Sequence, residues 1–311
     1  MIYQLMRRNL RIYFRDRASV FFSLLGVFIM IGLYALFLGN MWVEGYGQAL
    51  EGMGLTESAG GVRFLIDSWI IAGVVAAASI TTTMGAYGIM VDDNAKKIVK
   101  DFRVSPIPRW KLVMGYVLSS IVIGWIMSVF TLILGEAYIV AYGGQILDVV
   151  ALLETLGLIT LSVSASSALV FFLISFIKSQ NAFGTASTLL GTLIGFFMGV
   201  YVAIGNLPTQ VQWAVKCFPI AHAGSLLRQV MVGYAQEKVF GSLNEMETVF
   251  LNGYEDLEGV YHSGFHDNMG VFFRFGDYVV PSWLSILILV ATVLIFFGLT
   301  TWVVSRRKAK E

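Results

Sequence analysis

Long apolar runs separated by short polar breaks make up most of the chain. The runs at residues 20–38, 64–91, 112–134, 151–177, 182–204 and 283–304 carry few charges, and about 20 such residues in a helix cross a bilayer. The pattern therefore predicts an all-α membrane protein with six transmembrane helices. Residues 1–18 read differently. Arg7, Arg11 and Arg15 form an i, i+4 row with Arg8 beside it, while Tyr3, Met6, Leu10, Tyr13 and Phe14 lie towards the other side. This predicts an N-terminal interfacial helix on the membrane surface. A signal peptide is the competing reading, but the run 20–38 is long for one and lacks a small-x-small cleavage pattern, so it is read as an uncleaved first span. Residues 39–63, glycine-rich with Glu44, Glu51 and Glu57, predict an external loop.

Two connections are not simple turns. In residues 92–111 (DDNAKKIVKDFRVSPIPRWK), Ala95, Ile98, Val99 and Phe102 share i, i+3, i+4, i+7 spacing, which gathers them on one helical face. Lys96, Lys97, Lys100 and Arg103 cover much of the rest, and Pro106 and Pro108 end the helix by removing amide donors. The second connection, residues 205–281, is too long to be a bare loop. Its first part, 205–235, is apolar but broken by Pro208 and Pro219. Broken backbone at membrane depth needs protein cover or a wet cavity, so two short re-entrant helices are predicted. Residues 236–280 are acidic and polar and read as an external insertion.

Composition agrees: 57% of residues are hydrophobic and 13% charged, about half the charge of a soluble domain. Cys217 is the single cysteine, which excludes an intramolecular disulfide. Basic residues divide unevenly. With both termini cytoplasmic, Arg7, Arg8, Arg11, Arg15, Arg17, the bases of 92–111, Lys178 and Arg306 to Lys310 lie inside; Arg63, Lys216, Arg228, Lys238 and Arg274 lie outside. That bias sets the expected orientation of a multi-pass cell-membrane protein.

Candidate chemistry is sparse. There is no G-x-x-x-x-G-K-[ST] loop and no Gly-Lys dipeptide, so any ATP that drives the protein is bound by another chain. Glu258, His262 and His266, spaced i, i+4, i+8, would line one face of a helix and could hold zinc, although Gly259 and Gly264 weaken that helix and solvated loop histidines are the plainer reading. Glu136 is an acid near the outer end of the third span, a candidate for proton coupling or substrate contact, or simply a side chain reaching water. Gly191, Gly195 and Gly199 form overlapping G-x-x-x-G units, suited to close helix contact within the chain or at a dimer seam. Thr160, Ser164 and Ser167 suit interhelical hydrogen bonds.

Taken together, these residues resemble type-2 ABC exporter permeases. In that family the loop between spans two and three has an acid leading into a helix closed by Ser/Thr-Pro-apolar-x-Arg; here these are Asp93, Ser105-Pro106-Ile107 and Arg109. Lys97 stands where a glycine is common. The order of Gly199, Leu207-Pro208, Phe218-Pro219 and Leu226-Leu227-Arg228 matches the family's fifth span and re-entrant region. The resemblance implies that 92–111 is a cytoplasmic coupling helix, with Asp93, Ile98, Phe102, Ser105, Pro106 and Arg109 meeting a separate ATP-binding subunit. It implies a second permease subunit, identical or not, meeting this one at the first and fifth spans, and contact with membrane lipid but not nucleic acid. It implies no cofactor and no catalysis in this chain, with ATP and magnesium held by the partner. Its cargo would be an amphipathic or hydrophobic drug, peptide, lipid or glycolipid. A membrane-embedded enzyme, or an ion-coupled carrier using Glu136, are the alternatives.

Overall fold

In the computed structural model, which describes residues 1–98, 109–177, 179–256 and 260–307, the chain begins with α1 (Ile2–Arg15). Its buried face is Leu5, Asn9 and Tyr13, an i, i+4, i+8 stripe. Tyr3 and Phe14 are exposed, so the apolar side read from the sequence is rotated. The reason is that α1 packs against other helices: Gly115 leaves room for Leu5, and Asn9 donates to Ser119 Oγ at 3.1 Å.

Asp16 then caps α2 (Arg17–Leu33), accepting from the N–H groups of Ala18 and Ser19. A π-helical turn (Tyr34–Leu38) joins α2 to α3 (Gly39–Gly52), and the whole forms one 36-residue helix. The external loop expected at 39–63 is thus helical as far as Gly52. Its glycines weaken a helix, but Trp42, Tyr46 and Leu50 hold it: Trp42 meets the Trp69 ring at 6.3 Å, Tyr46 meets Phe265 at 5.0 Å, and Leu50 is fully buried.

After α4 (Thr56–Ala59) comes the central helix α5 (Val62–Ala95). It is apolar all round and buried on every side from Leu65 to Ile80, as expected of a helix with no water-facing surface. Around it stand α6 (Arg109–Ala141), α7 (Val149–Ile174), α8 (Gln180–Phe197) and, outside α7, α13 (Ser282–Arg307). Buried hydroxyls tie the core together: Ser79 to Ser162 at 2.8 Å, Ser120 to Ser167 at 2.6 Å, and Tyr87 to Ser167 at 2.9 Å. Five of the described helices are long and apolar enough to cross a bilayer: Arg17–Gly52, Val62–Ala95, Trp110–Ala141, Val149–Ile174 and Ser282–Thr300. The run 182–204 is not one continuous helix, because α8 stops at Phe197 and the chain reverses through Gly199 at φ 62°, a conformation that favours glycine.

Pro208 and Pro219 bracket α9 (Thr209–Cys217), and α10 (Ala221–Phe240) follows. Only α9 is short. The second helix expected to be short runs 20 residues, because Ala221 to Arg228 are buried against α5 and neighbouring elements. Residues 241–256 and 260–280 form a small cap: α11 (Glu245–Asn252), β1 (Gly253–Glu255) paired antiparallel with β2 (Tyr261–Ser263), α12 (Phe265–Asn268), and a hairpin of β3 (Arg274–Phe275) with β4 (Tyr278–Val279).

Candidate functional site

At the basic end of the bundle, α1 crosses the end of α5 and the start of α6. The Arg8 guanidinium grips Asp93 with two bonds, at 2.7 and 2.8 Å, and Tyr116 donates its hydroxyl to the same carboxylate at 2.6 Å. Asp93 is buried and Arg8 about one third exposed. The hydrogen bond to Asp93 holds the Arg8 guanidinium above its ordinary pKa, against the smaller opposing effect of burial. Arg8 stands outside the Arg7, Arg11, Arg15 row, and that offset turns it inward.

Asp93 therefore lies in the last turn of α5 rather than at the start of a separate helix. The next residues close α5: Lys96 N–H bonds the Asp92 carbonyl, Lys97 N–H bonds the Asn94 carbonyl, and Lys97 sits at φ 61°. A left-handed residue just after a helix is usually glycine, so the position where Lys97 departs from the resembled pattern is one that favours glycine. Ile98 is half-buried. Phe102, Ser105 and Pro106 lie outside the described residues, and Arg109 is the first residue of α6.

Beside this network opens a cleft of about 1110 Å³ between α1, α2, α5 and α8. Arg8, Asp92, Asp93 and Lys96 form a polar group on its lining; the buried Met30 and Met84, with Ser187 and Thr188, line it as well. The lining thus combines charged side chains with apolar ones and scattered hydroxyls. Its α2 and α8 walls carry the exposed side chains Phe21, Phe22, Phe28, Leu189 and Leu193.

The glycine row divides. A Cβ on Gly191 would meet nothing within 4 Å, one on Gly195 would strike the Tyr201 ring, and Gly199 makes the left-handed turn. Of the expected seam, Gly195 and Gly199 thus serve packing and chain reversal within the protein, and Gly191 alone is open. The end of α8 is held from two sides. Arg228, fully buried on α10, donates to the Met198 carbonyl and lies over the Trp69 ring at 5.1 Å, while Tyr34 donates to the Val200 carbonyl. A cation suits this place because helix carbonyl ends carry partial negative charge. Gly73 makes the room, since a Cβ there would come 2.8 Å from the guanidinium.

Glu136 sits in α6 away from the cleft. One carboxylate oxygen accepts from the Leu147 N–H at 3.1 Å; the other is buried without a partner among the described residues. The histidines do not share a helical face. His262 is on β2, bonded to Asp256 at 3.0 Å, and His266 is on α12 between Asn252 and Gln236, each at 3.1 Å. Glu258 lies outside the described residues. Sequence reasoning missed a second polar cluster, in which Arg63 binds Asp67 at 2.9 Å and Asn40 at 2.7 Å, with Tyr138 alongside. Asp67 in an apolar run was its only visible signal.

Residues 50–302 match the family model described as ABC-2 family transporter protein. Comparison with curated proteins gives no match.

Proposed function

The chain belongs to the ABC-2 transporter family, and from that premise we propose that this permease subunit of an ABC transporter works as an exporter of an amphipathic or hydrophobic molecule. The observation that carries the reading is the cleft beside the last turn of α5, whose lining joins Arg8, Asp92, Asp93 and Lys96 to apolar side chains such as Met30 and Met84. Such a site accepts one end of a drug, peptide, lipid or glycolipid by charge and the other by burial. Both termini and residues 92–111 face the cytoplasm, following the positive-inside bias. A second permease subunit covers the exposed faces of α2 and α8, with Gly191 at the seam.

ATP and magnesium belong to the separate ATP-binding subunit that the family implies, and this chain performs no catalysis of its own. ATP binding draws the coupling segment, with Phe102 as apolar anchor and Asp93, Ile98, Ser105, Pro106 and Arg109 around it, towards or away from its twin. Truncating an aromatic anchor typically costs about 2 kcal/mol or more of binding, roughly thirty-fold in affinity. Co-purification tests this. Phe102→Ala should fold and insert yet lose its ATPase, while Lys100→Ala should keep it. Equal, wild-type-like retention by both variants would remove Phe102 from the docking surface. In a Cys217→Ser background, a cysteine at Ser242 should react with an impermeant thiol reagent on intact cells. Labelling only after lysis would reverse the orientation.

A further inference from the structure

The long first helix loosens at the π turn Tyr34–Leu38, where the Gly39 N–H reaches back to the Tyr34 carbonyl. Glycine fits there because a Cβ would come 2.6 Å from that oxygen. Single π turns inside α-helices concentrate at functional positions. Here the turn is held by its neighbours. Tyr142 donates to the Ala35 carbonyl at 3.3 Å, and Arg63 donates to Asn40, just beyond the turn, at 2.7 Å. Arg63 also donates to Asp67 at 2.9 Å and to the Tyr138 hydroxyl at 3.2 Å, and its plane lies 4.1 Å over the Tyr142 ring. One guanidinium thus touches α3, α5 and α6.

The same chemistry recurs at the opposite end of α5 and α6. There Asp93 is held by Arg8 and Tyr116, as Asp67 is held by Arg63 and Tyr138. Between the two clamps the helices touch closely: a Cβ on Gly124 would come 2.7 Å from Thr83, and one on Gly135 would strike Ile71. Asp67 and Asp93 are about 39 Å apart along the helix at 1.5 Å per residue, more than the roughly 30 Å hydrocarbon core.

We propose that α5 and α6 move as one strut, and that Arg63 is the positioning residue that carries this motion to the π turn. The turn acts as a hinge, so a displacement at residues 92–111 swings α3, the far half of the first span, relative to α7. This rests on the permease reading above, because it needs an ATP-driven displacement at the basic end.

The test uses the full chain with its ATP-binding partner in lipid nanodiscs, in a Cys217→Ser background. Spin labels at Asn94 and Asn181 report the basic end, and labels at Gln48 and Glu154 report α3 against α7. Pulsed dipolar spectra are compared without nucleotide and after trapping with ATP and vanadate. Both pairs should shift in the parent. Arg63→Ala should keep the basic-end shift and lose at least half of the α3 shift. Asn40→Ala, which leaves the Arg63–Asp67 pair in place, should reduce the α3 shift in the same selective way, and it decides the matter if Arg63→Ala fails to fold. An undiminished α3 shift in Asn40→Ala, or loss of both shifts together in a folded variant, overturns the hinge and leaves the permease reading standing. No basic-end shift in the parent overturns the permease reading and the hinge with it.

Discussion

Arg8 and Asp93 meet as a fork on a carboxylate, with bonds of 2.7 and 2.8 Å joining α1 to the last turn of α5. Tyr116 of α6 completes the cluster at 2.6 Å. Losing the carboxylate removes two bonds from Arg8, which keeps its 3.1 Å bond to Asn9, and takes the acceptor from the Tyr116 hydroxyl. Removing one partner of a buried pair costs about 3–5 kcal/mol, but Arg8 is about one third exposed and solvent screening reduces this to roughly 1–3 kcal/mol. Asp93→Ala should therefore lower the thermal midpoint of the detergent-solubilised chain and weaken ATPase stimulation in the assembled transporter. Asp93→Glu should recover part of both. An unchanged midpoint in Asp93→Ala would show that α1 is held without the ion pair, by its apolar face and the Asn9–Ser119 bond.

Lys97 occupies left-handed backbone at φ 61°, which costs a non-glycine residue roughly 1–2 kcal/mol. Lys97→Gly should relieve that cost, partly offset by a more flexible unfolded chain. The expected result is a slightly raised midpoint and unchanged assembly with the ATPase. A fall in stability of more than about 1 kcal/mol would mean that the Lys97 side chain contributes more than its backbone costs.

The divided glycine row makes a paired test. Gly191→Leu should leave the monomer folded and weaken subunit pairing, because it places bulk where the described chain has open space. Gly195→Leu should instead destabilise the monomer, because its side chain runs into the Tyr201 ring and overpacking typically costs about 1–3 kcal/mol. Cross-linking yield and thermal midpoint separate the two effects. If Gly191→Leu pairs as well as the parent, the seam lies elsewhere on α2 and α8.

His266 reports on the cap. Burial lowers its pKa to about 4, against the smaller opposing pull of Asp267, and Phe265 and Phe272 pack on its ring. The neutral ring donates from one nitrogen only, so one of the two amides beside it presents its NH2 group. In the unfolded cap the same histidine titrates near 6.5. Sign follows: the unfolded form binds the proton first, so stability is full above about pH 6.5, declines as pH falls towards about 4, and levels off below. The span is worth roughly 3 kcal/mol at most. Proteolytic protection of residues 241–280 should decline over that window, and His266→Gln should flatten the decline. An equally steep profile in the variant would assign the effect to other groups.

Much of this architecture was legible in the chain because each signal was local. Apolar run length marks a long helix, and five of the six runs fall largely on α2, α5, α6, α7 and α13, whereas the run 182–204 breaks after Phe197. Pro208 and Pro219 marked the boundaries of α9, because proline limits its own backbone and that of the residue before it. The order of Asp93, Gly199, the two prolines and Arg228 was enough to suggest the family.

What the tertiary structure decided is which side chains face one another. Residues 39–52 look like a loop because their glycines weaken a helix, yet aromatic packing from α5, α11 and α12 keeps them helical. Gly191, Gly195 and Gly199 are equivalent by spacing and differ in role because Tyr201 returns over one of them. Arg8 and Asp93 are 85 positions apart, and Arg228 reaches Met198 across a chain reversal. No periodicity in one segment contains such pairs, since a charge buried far from its partner in sequence is fixed only when both helices have packed.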